Sequence, residues 1–275
     1  MKKIVGFLLV FLAGVAAFAY DVTADYQIKG KAKTVTRIDY EISSKFGEYF
    51  RTPSSKIIYR YDEKGNQIES TAYSAKDVLL NKIQNIYDEK GLLVEQLGYD
   101  SESVLSWKAV FSYKNGKKTD VSEFGADGSI RNKVIYGYSG ANLTEESVYN
   151  SDGVLVGKLI YKYDGDRLVR EYEYFADGSL DTEKQYSYTA SGKKDTIVTI
   201  KADGEISKKE VFRYGEKDVL SEITTYGEDN KIESRMIIKF DEKGNFKKMT
   251  NYTVANKFGT TVNEMSAMTE VSYEY

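Results

Sequence analysis

Residues 87–93 read Tyr87-Asp88-Glu89-Lys90-Gly91-Leu92-Leu93, and this stretch holds the pattern that decides the fold. Four residues with turn chemistry follow an aromatic residue, and an apolar residue stands six places after that aromatic one. Asp at the first turn position and Gly at the fourth are typical of a type I turn followed by a left-handed residue. Such a turn closes a three-residue hairpin loop with a bulge, so we predict a β-hairpin here.

The same pattern recurs along most of the chain. One series of anchors before a turn has intervals of 25 or 26 residues: Tyr61, Tyr87, Tyr113, Tyr138, Tyr163, Tyr188, Tyr214 and Phe240. A second series lies about midway between these anchors: Tyr73, Tyr99, Phe124, Tyr149, Tyr174, Ile200, Tyr226 and Tyr252. Asn230 and Asp218 replace Gly at the fourth turn place, and both types tolerate positive φ. Recurrence at this spacing predicts a tandem hairpin repeat.

The bulged turn also predicts the register of each hairpin, because it places residue i opposite residue i+6. Eleven anchors have an apolar residue at that place, namely Tyr73, Tyr87, Tyr99, Phe124, Tyr149, Tyr163, Tyr174, Ile200, Tyr214, Tyr226 and Phe240. Within strands, apolar and charged residues alternate with a period of two. The predicted fold is all-β, a single long antiparallel meander of tandem β-hairpin repeats with about 16 to 20 strands. Sheets of this size usually curl, so we expect a twisted or coiled sheet that is open or rolled up.

The two ends of the chain depart from the repeat. Residues 1–19 resemble a cleaved export signal, with Lys2 and Lys3 before an apolar run and a small-x-small site ending at Ala19. We assign residues 20–56 to an N-terminal cap, 57–252 to the repeat array and 253–275 to C-terminal cap strands. The caps are expected to cover the sheet edges. The signal predicts a periplasmic, cell-surface or secreted protein.

The composition excludes several kinds of chemistry. The 275 residues include no His and no Cys, so imidazole catalysis, Cys nucleophiles, zinc sites and disulfides are all excluded. The formal net charge of −3 argues against nucleic acid as a partner. Acidic turns at Asp127, Asp152, Asp177 and Asp203 match neither the EF-hand loop nor the glycine-rich nonapeptide pattern, and we expect no metal and no cofactor.

The repeat also resembles known repeat proteins. Tyr59-Arg60-Tyr61-Asp62-Glu63-Lys64-Gly65 resembles the YD repeats of Rhs-type bacterial surface and toxin proteins. The Asp-Gly turns followed by an apolar residue, as at Asp152-Gly153-Val154, resemble the MORN-like repeats of bacterial exported proteins. The resemblance covers residues 57–252 and implies a winding antiparallel sheet.

These observations favour a non-enzymatic exported scaffold or binding protein. Its aromatic-rich sheet would face a macromolecular partner, protein or glycan, and the candidate partner-binding face is Tyr136, Tyr161 and Tyr186. The alternative is an outer-membrane β-barrel. Charges such as Glu145 and Arg170 in the strands argue against a lipid-facing wall, so no stable membrane insertion is expected. A carboxylate hydrolase is a third possibility, although the repeated Glu69, Glu95, Glu145 and Glu222 fit a solvated ladder beside Lys.

Overall fold

The computed structural model describes residues 28–257 and 259–275, so the predicted export signal lies outside the described residues. Apart from a 3₁₀ turn at Glu216–Asp218, the regular structure of these residues is antiparallel β-sheet. The strands are β1 Thr34–Lys45, β2 Glu48–Tyr61, β3 Gln67–Ser74, β4 Leu79–Tyr87, β5 Leu93–Tyr99, β6 Leu105–Lys114, β7 Lys117–Gly125, β8 Ile130–Ser139, β9 Asn142–Asn150, β10 Leu155–Asp164, β11 Arg167–Phe175, β12 Leu180–Tyr188, β13 Lys194–Lys201, β14 Ile206–Tyr214, β15 Leu220–Tyr226, β16 Ile232–Phe240, β17 Phe246–Lys257 and β18 Thr260–Glu274.

The sheet closes on itself. Each strand pairs with the next one in the chain, and β1 also pairs with β18 over eight residue pairs, from Thr34 opposite Glu274 to Glu41 opposite Ala267. The meander is therefore confirmed, but the prediction of a twisted or coiled open sheet is wrong, because the sheet closes into a barrel. The first and last strands bond to each other, and closure removes both edges of the sheet.

The register of ten of the eleven predicted anchor pairs is confirmed. Tyr149 lies opposite Leu155 and Tyr87 opposite Leu93, each next to a bulge. The same offset holds at eight further anchors, Tyr73, Tyr99, Phe124, Tyr174, Ile200, Tyr214, Tyr226 and Phe240. Tyr163 instead faces Leu168. Its loop has only two residues between Asp164 and Arg167, so the offset shortens by one.

Turn geometry explains why this sequence repeats. Asp88 Oδ1 accepts hydrogen bonds from the backbone N–H groups of Lys90 and Leu92, and the Gly91 N–H donates to the Asp88 carbonyl. Gly91 has φ 81°, which is the left-handed region that a side chain disfavours. At Asp127, hydrogen bonds from the Ser129 hydroxyl and N–H hold the pKa of the carboxyl below its usual value. An Asp side chain at the first or third turn position therefore stabilises the turn by accepting these hydrogen bonds.

Burial distinguishes the inner face of the barrel from the outer one. Trp107 is 8% exposed and Phe212 4%, whereas Ile86 and Ile135 are 41% and 42% exposed. Most of the buried bulky residues lie on one face, and the concave side covers them best because neighbouring side chains converge there, so we assign Trp107 and Phe212 to the inner face. Two apolar clusters line this inner face. One extends over β13–β17 around Phe212, and the other surrounds Trp107 on β4–β7, about half a turn of the barrel away.

A polar cluster holds the seam where the sheet closes. The Asp39 carboxylate lies in β1 and accepts hydrogen bonds from Arg37 on the same strand, Ser55 on β2 and Thr269 on β18, at 3.1, 3.1 and 2.6 Å. Only 13% of the Asp39 side chain is exposed, which strengthens these bonds. One carboxylate thus joins the first strand to both of its neighbours.

A second contact joins the first and last described segments. Asn245 is 2% exposed and follows the turn between β16 and β17. Its side chain accepts a hydrogen bond from the Lys29 N–H and donates to the Lys29 carbonyl and the Tyr275 hydroxyl. The first and last described segments therefore meet at one end of the barrel. This end also has the turns that follow the even-numbered strands, and we call it the tyrosine rim. The opposite end, with the β1–β2 and β17–β18 hairpins, is the long-hairpin rim.

Replacing the seam carboxylate should destabilise closure. Asp39→Ala removes three acceptor contacts and leaves Arg37 poorly paired, so we expect a loss of about 3 kcal/mol in the free energy of unfolding. A urea titration followed by tryptophan fluorescence measures it. The matched control is Glu228→Ala, which breaks the exposed Lys201 pair and should cost less than about 1 kcal/mol. Equal losses in the two variants would contradict the role of Asp39.

Candidate functional site on the inner wall

Tyr136, Tyr161 and Tyr186 all lie on the inner wall, on β8, β10 and β12. Tyr161 shares its face with the buried Leu159, and Tyr186 packs against the apolar cluster around Phe212. All three are half-buried. The sequence predicted these residues as one face, and the structure does place them side by side. They face the interior of a closed barrel, however, and a flat partner outside the barrel cannot reach them.

Two carboxylates hold these tyrosines in place. The Tyr161 hydroxyl donates to Glu146 Oε1 at 2.8 Å, and the Tyr186 hydroxyl donates to Glu171 Oε2 at 3.1 Å. Both residues of the second contact lie 25 positions after those of the first, and 25 positions is one repeat along the chain. Glu171 also binds Lys184 Nζ at 2.6 Å. The inner wall therefore carries an ordered chain of tyrosine and carboxylate groups across neighbouring hairpins.

Tyr136 has a different neighbour. Lys118 Nζ lies 4.1 Å from the centre of the Tyr136 ring, which is a cation–π distance. Glu146 lies directly across the strand pair from Tyr136. The site therefore offers an ammonium group, two carboxylates and three phenol rings within three hairpins. We call Tyr136, Tyr161, Tyr186, Glu146, Glu171 and Lys118 the luminal cluster.

The first anchor series forms a ring at the tyrosine rim, above the luminal cluster. Several of its hydroxyls donate to a backbone carbonyl 20 residues earlier: Tyr87 to Gln67, Tyr113 to Leu93, Tyr188 to Leu168 and Tyr214 to Lys194, at 2.6–2.9 Å. The carbonyl belongs to the preceding hairpin, so each of these four rings lies along the inner wall. We call the first anchor series the mouth ring.

The second anchor series lies on the opposite face. Tyr99 pairs across the strands with Lys82, which is adjacent to the inward-facing Ile83. Lys82 Nζ lies 4.7 Å from the centre of the Tyr99 ring. The repeated glutamates are also outside, and each pairs with a basic residue: Glu69 with Arg60, Glu95 with Lys108, Glu145 with Lys158 and Glu222 with Arg213. The outer wall is thus a ladder of cross-strand ion pairs.

Sequence reasoning missed Glu146 and Glu171 because it noted the adjacent Glu145 as the repeated position. The two residues point to opposite faces, since side chains alternate along a strand. A signal was present: Glu stands 15 places before both Tyr161 and Tyr186. In this repeat, two residues separated by 15 positions lie on neighbouring strands and both point inward.

Residues 28–257 and 259–275 also have two properties that bear on function. No group of three or more acidic side chains there is placed to hold a metal ion. Over the same ranges, none of the helical structure is long and apolar enough to cross a membrane.

Comparison with known proteins adds the fold class. A family profile described as "Uncharacterised protein" matches residues 29–129. The chain is similar to the crystal structure of a porin-like protein from Bacteroides uniformis, with a TM-score of 0.50 and 12% identity, over 90% of this chain and 99% of that one. This similarity shows that the chain shares the fold of that protein. The search of curated proteins gave no match.

Two further structures align less well. A porin-like protein from Bacteroides vulgatus has a TM-score of 0.29 at 9% identity, covering 88% of this chain and 98% of that one. A TcdB2–TccC3 structure lacking its hypervariable C-terminal region has a TM-score of 0.30 at 9% identity, covering 82% of this chain and 16% of that one. Scores this low carry no argument about shared fold.

These findings correct two expectations from the sequence. The resemblance to YD and MORN-like repeats is wrong, because the matching fold is a porin-like barrel and the matching family profile is a different one. A turn that ends in Gly is common in bulged hairpins of any family, so the motif reflects turn geometry. The expectation of no stable membrane insertion is also corrected, because the chain shares the fold of a porin-like protein. It rested on Glu145 and Arg170 as lone charges, whereas the structure pairs them with Lys158 and Glu183.

Removing one hydroxyl tests the luminal cluster. Tyr161→Phe deletes the hydrogen bond to Glu146 and leaves the carboxylate without that donor, so we expect a loss of about 2 kcal/mol in unfolding free energy. In a double-mutant cycle, Tyr161→Phe should cost much less when Glu146 is already Gln. Urea titration measures both. Tyr226→Phe on the outer wall, whose ring faces Lys209, should change little; additive losses at Tyr161 and Glu146 would count against the contact.

Proposed function

We propose that this protein is a non-enzymatic outer-membrane β-barrel with a solvent-accessible lumen, reached by export. The observation that carries the proposal is closure. Pairing of β1 with β18 leaves no free edge, and a closed sheet is the β-architecture that satisfies its backbone in a bilayer. The similarity to a porin-like protein over nearly the whole of both chains supports it.

An accessible lumen follows from strand number and exposure. A barrel of 16–18 strands is wide enough to leave an aqueous channel. The two inner apolar clusters form separate groups on opposite sides of the barrel. The mouth-ring residues are half-buried, as are Tyr136, Tyr161 and Tyr186, although all of them face inward. Large aromatic side chains in a filled core would be fully buried, so partial exposure on an inner face supports a water-filled interior.

The outer wall is compatible with this proposal because its charges are paired. Lys158 and Glu145 lie 3.0 Å apart, and Arg170 and Glu183 lie 2.8 Å apart, in both cases across neighbouring strands. A neutral pair costs less in a low-dielectric environment than either charge alone. Between the pairs, the outward positions hold residues such as Ile135, Ile160 and Val198.

Fractionation and conductance test the proposal directly. We expect the full-length protein expressed in a Gram-negative host to sediment with outer membranes, to require detergent for extraction, and to change gel mobility on heating. The purified protein should open steady conductance steps in a planar bilayer. Recovery in the soluble periplasmic fraction without detergent would contradict insertion, and insertion without conductance would contradict the open lumen.

Breaking one outer pair distinguishes a lipid-facing wall from a water-facing one. Glu145→Leu leaves Lys158 unpaired, which in lipid costs about 2–4 kcal/mol and should lower the inserted fraction. Adding Lys158→Leu should restore insertion, because the wall is then apolar there. The heat-shifted band on a gel measures the inserted fraction. Asp229→Ala, which removes an exposed turn pair with Lys231, is the control. Aggregation of the double variant would show that this wall faces water.

A further inference from the structure

We infer that the chain just before Lys29 forms a strap across the mouth of the barrel at the tyrosine rim, with residues 20–27 held against the inner wall between β17 and β12. Residues 20–27 lie outside the described residues, and their place follows from the segment that comes after them and from the wall beside it. The position of the strap does not depend on membrane insertion. Its effect on conduction rests on the proposed function, because only an open lumen can be narrowed.

The first described residues leave the wall sideways, along the tyrosine rim. Lys33 still lies between the two neighbours of β1, because its N–H donates to the Glu274 carbonyl at 2.7 Å and its carbonyl accepts from the Tyr61 N–H at 2.9 Å. Gly30 has moved off this line and lies against the Tyr275 ring, where a Cβ atom would come within 2.9 Å of a ring carbon. Towards its N-terminus, the chain therefore crosses from β1 to the end of β18.

Lys29 continues this path to the next turn, on the inner side of the wall. Its N–H and its carbonyl both bond to the Asn245 side chain, at 2.6 and 3.0 Å, just before β17. Tyr275, which the segment crosses, stands four places after Val271, and Val271 packs against the inner apolar cluster around Phe212. Side chains alternate along a strand, so Tyr275 is on the inner face as well. The chain before Lys29 is therefore directed along the inner rim towards β16.

The length of the strap fits the part of the wall that lies ahead of it. Cleavage after Ala19, as the export signal predicts, leaves residues 20–27 in front of the described segment. An extended chain rises about 3.3 Å per residue and strands lie about 4.8 Å apart, so a segment of this length crosses about five strands. Counted from β17, it ends at β12. This path runs beside the apolar cluster around Phe212, which extends over β13–β17.

The sequence of the strap alternates as an extended segment with one apolar face does. One set of alternate side chains is apolar or aromatic, and the other set is polar: Tyr20, Val22, Ala24 and Tyr26 against Asp21, Thr23, Asp25 and Gln27. On the wall, Phe240 at the end of β16 packs against the apolar cluster and is half-buried. Contact between the two removes apolar surface of both from water, while the aspartates stay in the aqueous mouth.

The bond between Lys29 and Asn245 favours this segment over any other occupant of the same surface. It holds the strap at the rim, so the strap meets the wall at the high effective concentration of a linked group. A separate peptide or a second copy of the chain has no such link and must bind from solution. The N-terminal segment of the same chain therefore takes this place.

Engineered cysteines test the position of the strap, because the chain contains no other thiol. Tyr26→Cys is combined with Phe240→Cys on the inner face of β16 or, as the matched control, with Lys239→Cys, the adjacent residue on the exposed outer face. On mild oxidation of the purified full chain, the inner pair should form a disulfide within one chain about tenfold faster than the outer pair, because a linked strap keeps the two thiols close. Mobility on non-reducing gels measures it.

Thiol labelling of each single variant establishes that all three cysteines react, and circular dichroism establishes that the variants fold. If Phe240→Cys lowers the folded fraction, Val22→Cys with Lys194→Cys replaces that pair, since Lys194 lies opposite the mouth-ring residue Tyr188. Equal rates for the inner and outer pairs, no disulfide in either, or a disulfide that joins two chains would each overturn the inference.

Conductance tests what the strap does to the lumen. A chain that lacks residues 20–27 should conduct about 1.5-fold more in each step, because the mouth is then as wide as the barrel allows. Replacing residues 20–27 by glycine and serine keeps the length but removes the apolar face, and should raise conductance as well. Steps of equal size in the three proteins would overturn the narrowing. A barrel that fails to insert contradicts the proposed function alone, since the disulfide test needs no membrane.

Discussion

The hydrogen bonds between β1 and β18 are the interaction on which the rest of this structure depends. Without them, an 18-strand meander would expose two long edges, which are templates for aggregation. With them, the sheet has an inside and an outside, and the same alternation of side chains that defines two faces of an open sheet now defines a lumen and an outer wall. Asp39 reinforces this junction, because its carboxylate contacts both neighbours of β1.

Much of the fold was predictable because its signals are local. A turn of four residues determines its own backbone, and the bulge beside it determines the pairing of the two strands it joins, so Tyr149 opposite Leu155 follows from the sequence alone. The prediction was wrong at Tyr163, where the turn has one residue fewer. Asn115 and Gly116, both with positive φ, form another such two-residue loop, and there Tyr113 faces Lys118 and not Thr119.

Closure was not predictable in the same way, because it pairs residues more than 200 positions apart and no local sequence pattern indicates that pairing. The placement of the anchors inside or outside depends on closure too. The two series look alike in sequence, but the bulge in every hairpin changes the alternation, and Tyr87 and Tyr99 end on opposite faces. Only part of the luminal cluster was therefore predicted from the sequence. Its tyrosines were recognised as repeated aromatic residues, whereas Glu146 and Glu171 were not noted.

The contact of Asn245 with both Lys29 and Tyr275 has a practical consequence for topology. An even number of strands brings the end of β18 back to the rim at which β1 begins, and the Asn245 side chain joins Lys29 to Tyr275 there. An epitope attached after Tyr275 would accordingly share a compartment with Lys29 and with the mouth ring. For the proposed outer-membrane barrel, the accessibility of one such label on intact cells would report which side of the membrane the mouth ring faces.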